Sequence, residues 1–176
     1  MAHKYLDGLF GIEIGASAHN PFGLNTVNVD CSLESGFKKR EIELCGRSAR
    51  VDVIGDGLRL PFGRDSVDFV LSSHVIEHIG KPAEALLDWN RIARRYIFVI
   101  CPHFERTFDR DRRLSTLEEV LAGTEEGGRS HHFVWNTELF VSLCRKIGLR
   151  VLESHDRDDK VGNGFMVLIE TEKNKC

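Results

Sequence analysis

The segment LFGIEIGASAHNPFGLNTVNVDC, residues 9–31, decides the fold of this chain. Apolar residues alternate with others before Gly15 and again before Asp30, which predicts two short strands. A glycine after a strand lets backbone come close to a ligand. An acid at the carboxyl end of the next parallel strand can accept both hydroxyls of a ribose. Glu13, Gly15 and Asp30 therefore predict an adenosine-type ligand.

The turn after the first strand indicates which ligand this is. Its sequence, Gly15-Ala16-Ser17-Ala18-His19, has one glycine where the dinucleotide fingerprint G-x-G-x-x-G has three. A nucleotide-sugar or NAD enzyme would carry the second and third glycines, so a ligand without a pyrophosphate fits better. S-adenosylmethionine is such a ligand. The segment resembles the first two motifs of the class I S-adenosylmethionine-dependent methyltransferases.

Residues 52–79, DVIGDGLRLPFGRDSVDFVLSSHVIEHI, resemble the motifs that follow in that family. The resemblance covers residues 9–103. It implies that Asp56 accepts the adenine amino group, that Gly57 and Leu58 place backbone at the ring edge, and that Ser72, Ser73 and His74 lie beside the transferable methyl group. The cofactor-binding residues it implies are Glu13, Gly15, Ala16, Asp30, Cys31, Asp56, Gly57, Leu58 and Ser73.

The fold class implied is α/β: a Rossmann-like, seven-stranded, mostly parallel sheet with an antiparallel last strand. Only about ten residues separate Gly15 from the second strand, so the first helix is predicted to be shortened to a turn or loop. After the first two strands, further strands are predicted at 50–54, 66–71, 96–101, 149–153 and 164–171, and helices at 81–95 and 136–148. The basic run Lys38, Lys39 and Arg40 is typical of the solvent face of a helix.

Residues 104–135 form a charge-rich insertion after the fifth strand, predicted to be a lid or substrate wall within a single domain, residues 1–176. Ser115 and Glu118 have the spacing of a capping box. The segments RTFDRDR and HHFVW resemble a bacterial methyltransferase subgroup associated with surface-glycan or secondary-metabolite assembly. Four arginines could hold an anionic group, or could pair with nearby acids: Arg106, Arg110, Arg112 and Arg113, with Glu105, Asp109 and Asp111.

Methyl transfer to a hydroxyl benefits from a base with a pKa near the working pH, and histidine is the usual one. The predicted catalytic candidates are His74, His103 and His132, with His131 beside them; each could instead make a structural polar contact, and His78 is assigned a structural role. The spacing of these residues gives no indication of a metal site, so no metal is predicted. We therefore expect an O-methyltransferase acting on a sugar or metabolite hydroxyl.

Bulk properties limit the partners. The net charge is −3, so the chain has no overall positive charge that would attract nucleic acid. No N/D-P-P-Y/F string follows the fourth strand, so methylation of nucleic acid is not expected. No apolar run approaches about 20 residues, so no membrane association and a cytoplasmic location are expected. The five cysteines form no C-x-x-C pair, which favours reduced thiols.

A small-molecule acceptor is the expected partner, and a homodimer is left open. The alternative, favoured by the shortened first helix, is a catalytically inactive methyltransferase-like binding or partner subunit.

Overall fold

The strands of the sheet follow the predicted α/β pattern in a computed structural model that describes residues 1–34, 36–125 and 130–171. They are β1 (Gly11–Ile14), β2 (Thr26–Asp30), β3 (Val53–Ile54), β4 (Val67–Ser73), β5 (Ala93–Pro102), β6 (Arg150–His155) and β7 (Gly164–Glu170). Within these described ranges they form one seven-stranded sheet of order β3-β2-β1-β4-β5-β7-β6, in which β7 alone runs antiparallel to its neighbours. The predicted Rossmann-like class is confirmed.

Helices cover both faces of this sheet. They are α1 (Ala2–Leu6), α2 (Gly36–Cys45), α3 (Pro82–Ile92), α4 (Leu117–Ala122) and α5 (Thr137–Lys146), with 3₁₀-helices at Ile76–His78, Phe104–Arg106 and Phe108–Asp111. Residues 16–25, all of which the structure describes, contain no helix, so the shortened first helix is also confirmed.

Three predicted boundaries are wrong. The helix predicted at 81–95 ends at Ile92, because the next residues extend β5, where Ala93 pairs with Val67 of β4. The edge strand predicted at 50–54 is reduced to β3, which pairs with β2 only through Val53 and Ile54. The capping box is shifted by one residue: Thr116 and Glu119 form it, as described in the Discussion.

The core lies in two layers, one on each face of the sheet. Ile12 of β1, Trp89 of α3 and Phe140 of α5 belong to the larger layer, and each is fully buried. Leu6 of α1 packs with Phe69 of β4 in the smaller layer. These helices therefore bury the middle of the sheet and leave its carboxyl edge to loops, where ligands bind in open α/β sheets.

The remaining sequence predictions concern bulk properties. In the described part of the chain, Cys31, Cys45, Cys101 and Cys144 are free thiols, as predicted, and Cys176 lies outside the described residues. None of the described helices is long and apolar enough to cross a membrane.

Candidate active site

The carboxyl ends of β1, β2 and β4 meet at one edge of the sheet. Gly15 follows β1 with a positive φ of 68°, a conformation that favours glycine. A Cβ atom at this position would lie 2.7 Å from Cγ2 of Val75, so a larger residue does not fit. The Gly15 amide donates to the Val29 carbonyl oxygen at 2.8 Å, which continues the pairing of β1 with β2. Gly15 therefore holds the loop close to the turn after β4, as its predicted role requires.

A buried lysine organises the loop that replaces the first helix. The Nζ atom of Lys38 lies 3.3 Å from Oδ2 of Asp30 and donates to the Ala16 carbonyl oxygen at 3.0 Å. Glu41, one turn further along α2, accepts a hydrogen bond from the Ala18 amide. Lys38 is 5% exposed, so its assignment to a solvent face is wrong. Helix α2 thus fastens the glycine loop and pairs with the predicted ribose acid.

The predicted adenine loop is a tight turn after β3. Asp56 is exposed, and its Oδ1 atom accepts a hydrogen bond from the Leu58 amide at 2.9 Å. The Gly57 carbonyl oxygen accepts a hydrogen bond from Nε1 of Trp89 at 2.8 Å. A side chain on Gly57 would press on Ile79, whose Cδ1 atom would lie 3.2 Å from the added Cβ. The core therefore fixes this turn at the same edge as Asp30.

The other predicted cofactor residues lie on the same strands. Cys31, directly after β2, is exposed, and partial burial together with the Asp30 carboxylate raises the pKa of its thiol. Ser73 ends β4 and is half-buried. Glu13 is buried within β1; burial raises the pKa of its carboxyl, and the nearby Lys160 ammonium opposes that rise.

The three predicted catalytic histidines are in different surroundings. His74 follows β4 with a positive φ of 54°, and its Nε2 atom is buried with no hydrogen-bond partner among the described residues. Burial lowers the pKa of His74. His103 caps a 3₁₀-helix: its Nδ1 atom accepts from the Glu105 amide at 3.3 Å, and its Nε2 atom lies 3.5 Å from Asp156 Oδ1. His132 lines a surface groove of about 590 Å³ beside α4.

A cluster that the sequence did not indicate surrounds Glu77, which is 1% exposed. Its Oε1 atom lies 3.7 Å from Nδ1 of His74 and 3.9 Å from Nε2 of both His78 and His131. The Nδ1 atom of His131 lies 2.5 Å from Oδ2 of Asp109. Burial raises the pKa of Glu77 to about 8. His131, and not its neighbour His132, therefore reaches the end of β4.

The four arginines predicted to bind an anion or an acid each pair with an acid of the protein. Arg112 binds Asp109 at 2.6 Å and donates to the His131 carbonyl oxygen, so it supports the Glu77 cluster. The others have acidic partners: Arg106 with Asp156, Arg110 with Asp111, and Arg113 with Glu119. Of the two alternatives considered, internal pairing describes this structure.

An α/β sheet of this strand order, with a glycine loop and an acid at its carboxyl edge, belongs to the Rossmann-like class, in which ligands bind at that edge. Residues 12–100, which are 89 of the 176 residues, match the sequence profile described as "Methyltransferase domain". The chain therefore belongs to the methyltransferase-domain family, and its cofactor is S-adenosylmethionine. A comparison with curated protein sequences gives no match.

Solved structures show the same fold. A protein of Pyrococcus horikoshii is 18% identical with a TM-score of 0.64, over 97% of this chain and 85% of that one. An S-adenosylmethionine-dependent methyltransferase of Thermotoga maritima is 20% identical with a TM-score of 0.61, over 97% and 86%. The [4+2]-cyclase SpnF is 11% identical with a TM-score of 0.59, over 96% and 76%. The fold thus hosts more than one reaction.

The carboxyl edge fits this cofactor chemically. The glycine loop, the Asp30 carboxylate and the Gly57 turn all lie at this edge, and a carboxylate can accept hydrogen bonds from hydroxyl groups. S-adenosylmethionine supplies a methyl group on a sulfonium, so the site does not need a phosphate cradle. This agrees with the glycine loop at residues 15–18, which is not followed by a helix whose N-terminus could bind a phosphate.

Proposed function

We propose that the chain transfers the methyl group of S-adenosylmethionine to a hydroxyl of a small polar acceptor such as a sugar or another metabolite. The observation that carries this proposal is the position of His74 at the end of β4, next to the loop at Gly15 and beside Glu77. The cofactor and the acceptor would then bind at the same edge of the sheet. Of the insertion, residues 104–135, the described part reaches this edge through His131, and we propose that it acts as a substrate wall.

Methyl transfer from a sulfonium is an in-line displacement, so the protein must mainly position the acceptor and exclude water. In the proposed reaction the acceptor oxygen bonds to the methyl carbon as the carbon–sulfur bond breaks, and the hydroxyl proton leaves to a base. His74 is the candidate that the geometry favours, because its side chain is 31% exposed and burial lowers its pKa, which favours the neutral ring that can accept a proton. His103 is already engaged as a helix cap, and His132 faces a separate groove.

Two exposed aromatic rings suit an acceptor with an apolar face. Phe108 of the insertion is 73% exposed, and its ring centroid lies 4.5 Å from that of His131. Phe37 of α2 is 61% exposed, and its centroid lies 5.7 Å from that of His78. Such rings can stack on the C–H face of a sugar, so they support an acceptor that carries a ring. The hydroxyl to be methylated would then point towards His74.

The first experiment is isothermal titration of the purified protein with S-adenosylmethionine, S-adenosylhomocysteine and, separately, NAD. Micromolar binding of the first two and none of NAD is the expected result. Sugars and other hydroxyl compounds are then screened by the formation of S-adenosylhomocysteine. His74→Gln is expected to keep its cofactor affinity and to lose turnover, whereas a loss of cofactor binding would assign His74 a structural role. His103→Gln and His132→Gln, tested in parallel, check the other two candidates.

A second function, an inactive binding or partner subunit, is favoured by the same loop that replaces the first helix. Lys38 already occupies Asp30 and Ala16, which a cofactor would also approach. This alternative predicts that neither S-adenosylmethionine nor S-adenosylhomocysteine binds. The titration above therefore separates the two functions before any acceptor is known.

We also propose a domain organisation, a cellular location and a range of partners for the chain. A single domain over residues 1–176, a cytoplasmic location, and the absence of nucleic-acid and membrane partners are proposed from the composition and charge. A homodimer is compatible with these proposals, and light scattering of the purified protein would test it.

A further inference from the structure

We propose that Glu77, His78 and His131 form a binding site for one divalent transition-metal ion. Two imidazoles and one carboxylate are a donor set that zinc and iron(II) use at sites with open coordination positions. No metal was expected from the sequence, because the spacing between His78 and His131 matches no ligand motif. The fold brings the two together at the end of β4.

The distances suit one shared ion. One ligand atom from each of the three residues lies within 4.8 Å of the others. In the tetrahedral geometry that zinc prefers, two ligand atoms that each lie about 2.0–2.1 Å from the ion are about 3.3–3.4 Å apart. Glu77 Oε1 lies 3.9 Å from Nε2 of His78 and 3.9 Å from Nε2 of His131. The three side chains can therefore share one ion if their ligand atoms move closer together by about half an ångström or more.

Both histidines are oriented as metal-binding histidines are. The Nδ1 atom of His131 is held by Asp109, and Arg112 holds Asp109 in turn. The Nδ1 atom of His78 lies 3.3 Å from the Ser130 carbonyl oxygen. Partners of this kind fix the ring and leave the other nitrogen to the metal. In both rings that nitrogen is Nε2, the atom that faces Glu77.

The carboxylate itself lacks a counterpart. Glu77 is 1% exposed, and its Oε2 atom makes no hydrogen bond to any residue that the structure describes. Burying a carboxylate without a partner costs several kcal/mol, roughly, unless a cation or a proton compensates it. The main chain is rigid here, because the His132 amide donates to the Glu77 carbonyl oxygen at 2.9 Å. A bound cation would compensate this carboxylate in place of a proton.

Metal binding does not depend on methyl transfer. Its role in catalysis does rest on the proposed function, and it would narrow the class of acceptors. With three protein ligands, coordination positions would remain open for an oxygen of the acceptor. A hydroxyl bound to a divalent ion loses its proton more readily. The acceptors favoured would then carry two neighbouring oxygens that chelate the ion, a narrower class than hydroxyl compounds in general.

The test is metal binding by the full chain after treatment with a chelator. Isothermal titration with Zn²⁺ and the visible absorption of the Co²⁺ complex should both give one ion per chain. Glu77→Gln and His131→Asn are expected to weaken binding at least about 100-fold, and Asp109→Asn about 10- to 100-fold through the orientation of His131. His3→Ala and Cys45→Ser, at an exposed histidine and an exposed thiol, are matched controls that should bind as the parent does.

Two results would overturn the proposal: no stoichiometric binding by the folded parent chain, or equal affinity in the parent and in Glu77→Gln. Circular dichroism and the midpoint of thermal unfolding, measured without metal, show whether each variant is folded. If His131→Asn does not fold, the isosteric Glu77→Gln still decides the question. Titration of the same variants with S-adenosylmethionine separates a failed metal site from a failed cofactor site.

Discussion

Asp30 has a contact within the fold and a predicted role in the site. Its carboxylate pairs with buried Lys38, yet it stands at the strand end where a ribose would bind. We predict that Asp30→Ala weakens S-adenosylmethionine binding about ten- to a hundredfold, or about 1.4 to 3 kcal/mol for charge-assisted hydrogen bonds. Isothermal titration measures the change directly.

The control for this prediction is Asp68→Ala. Asp68 is the second residue of β4, at the opposite edge of the sheet, where it accepts a hydrogen bond from the Phe10 amide at 3.1 Å. Its loss should lower the free energy of unfolding without changing the cofactor affinity. If Asp30→Ala binds as tightly as the parent chain, the assignment of Asp30 to the ribose is wrong.

Residues that act through their own strand could be predicted, and residues that act across the fold could not. Gly15 and Asp30 are recognisable because each follows an alternating strand directly. Lys38 resembles any surface lysine in sequence, and its burial depends on where α2 crosses the glycine loop. The choice between His131 and His132 depends on one residue of register in the insertion, which no periodic pattern fixes.

At the scale of elements, the capping box of α4 illustrates the same limit. Thr116 accepts a hydrogen bond from the Glu119 amide at 3.2 Å, and the Glu119 carboxylate accepts one from the Thr116 amide at 2.8 Å. The neighbouring pair, Ser115 and Glu118, has the same spacing. Ser115 is instead engaged elsewhere, because its hydroxyl accepts a hydrogen bond from the Val134 amide at 3.0 Å.

This difference gives a matched pair of variants. We predict that Glu119→Ala lowers the free energy of unfolding by about 0.5 to 1 kcal/mol, because it removes half of the capping box. Glu118→Ala, at an exposed site in the first turn of the same helix, should change it by less than about 0.5 kcal/mol. Urea denaturation measures both, and equal effects would contradict the observed cap.

A second element-scale prediction concerns acid. Glu153 of β6 accepts hydrogen bonds from Tyr5 and Lys4 of α1 and pairs with His155, and these contacts lower its pKa to about 2. A carboxyl whose pKa falls on folding stabilises the fold above its unfolded pKa, about 4.3, and loses this effect as the pH falls towards 2. Glu153→Gln should therefore lower the unfolding midpoint by about 2 °C at pH 6 and by less at pH 3.

Thermal scans between pH 3 and pH 6 test this prediction. Asp7→Asn is the control, because Asp7 is an exposed acid next to α1 that contacts His3 alone among the described side chains. Its effect on the midpoint should be smaller than that of Glu153→Gln at pH 6. A Glu153→Gln deficit that stays constant down to pH 3 would show that the lost contacts do not depend on the charge.

At the scale of the whole molecule, the core positions the cofactor edge. Trp89, buried beneath the sheet, donates to the Gly57 carbonyl oxygen in the predicted adenine turn. The continuous apolar run of β5 and the amphipathic α5 could be predicted because they bury many side chains of one kind. The hydrogen bond between Trp89 and Gly57 could not be predicted, since it is a single contact between residues distant in sequence.

Trp89→Phe removes that hydrogen bond while keeping an aromatic ring in the core. We predict a loss of about 1 to 3 kcal/mol in the free energy of unfolding, because a carbonyl in a partly buried turn loses its donor. Weaker binding of S-adenosylmethionine should accompany it, since the turn at Gly57 is no longer held. Urea denaturation and isothermal titration of one preparation measure both quantities.

Trp135→Phe is the matched control. Trp135 is 1% exposed in the same core layer, but its Nε1 atom has no hydrogen-bond partner among the described residues. The same change of side-chain volume there removes a buried donor without leaving an acceptor unpaired, so the loss of stability should be smaller and the cofactor affinity unchanged. If both variants lose the same stability and keep the same affinity, the hydrogen bond between Trp89 and Gly57 does not contribute to cofactor binding.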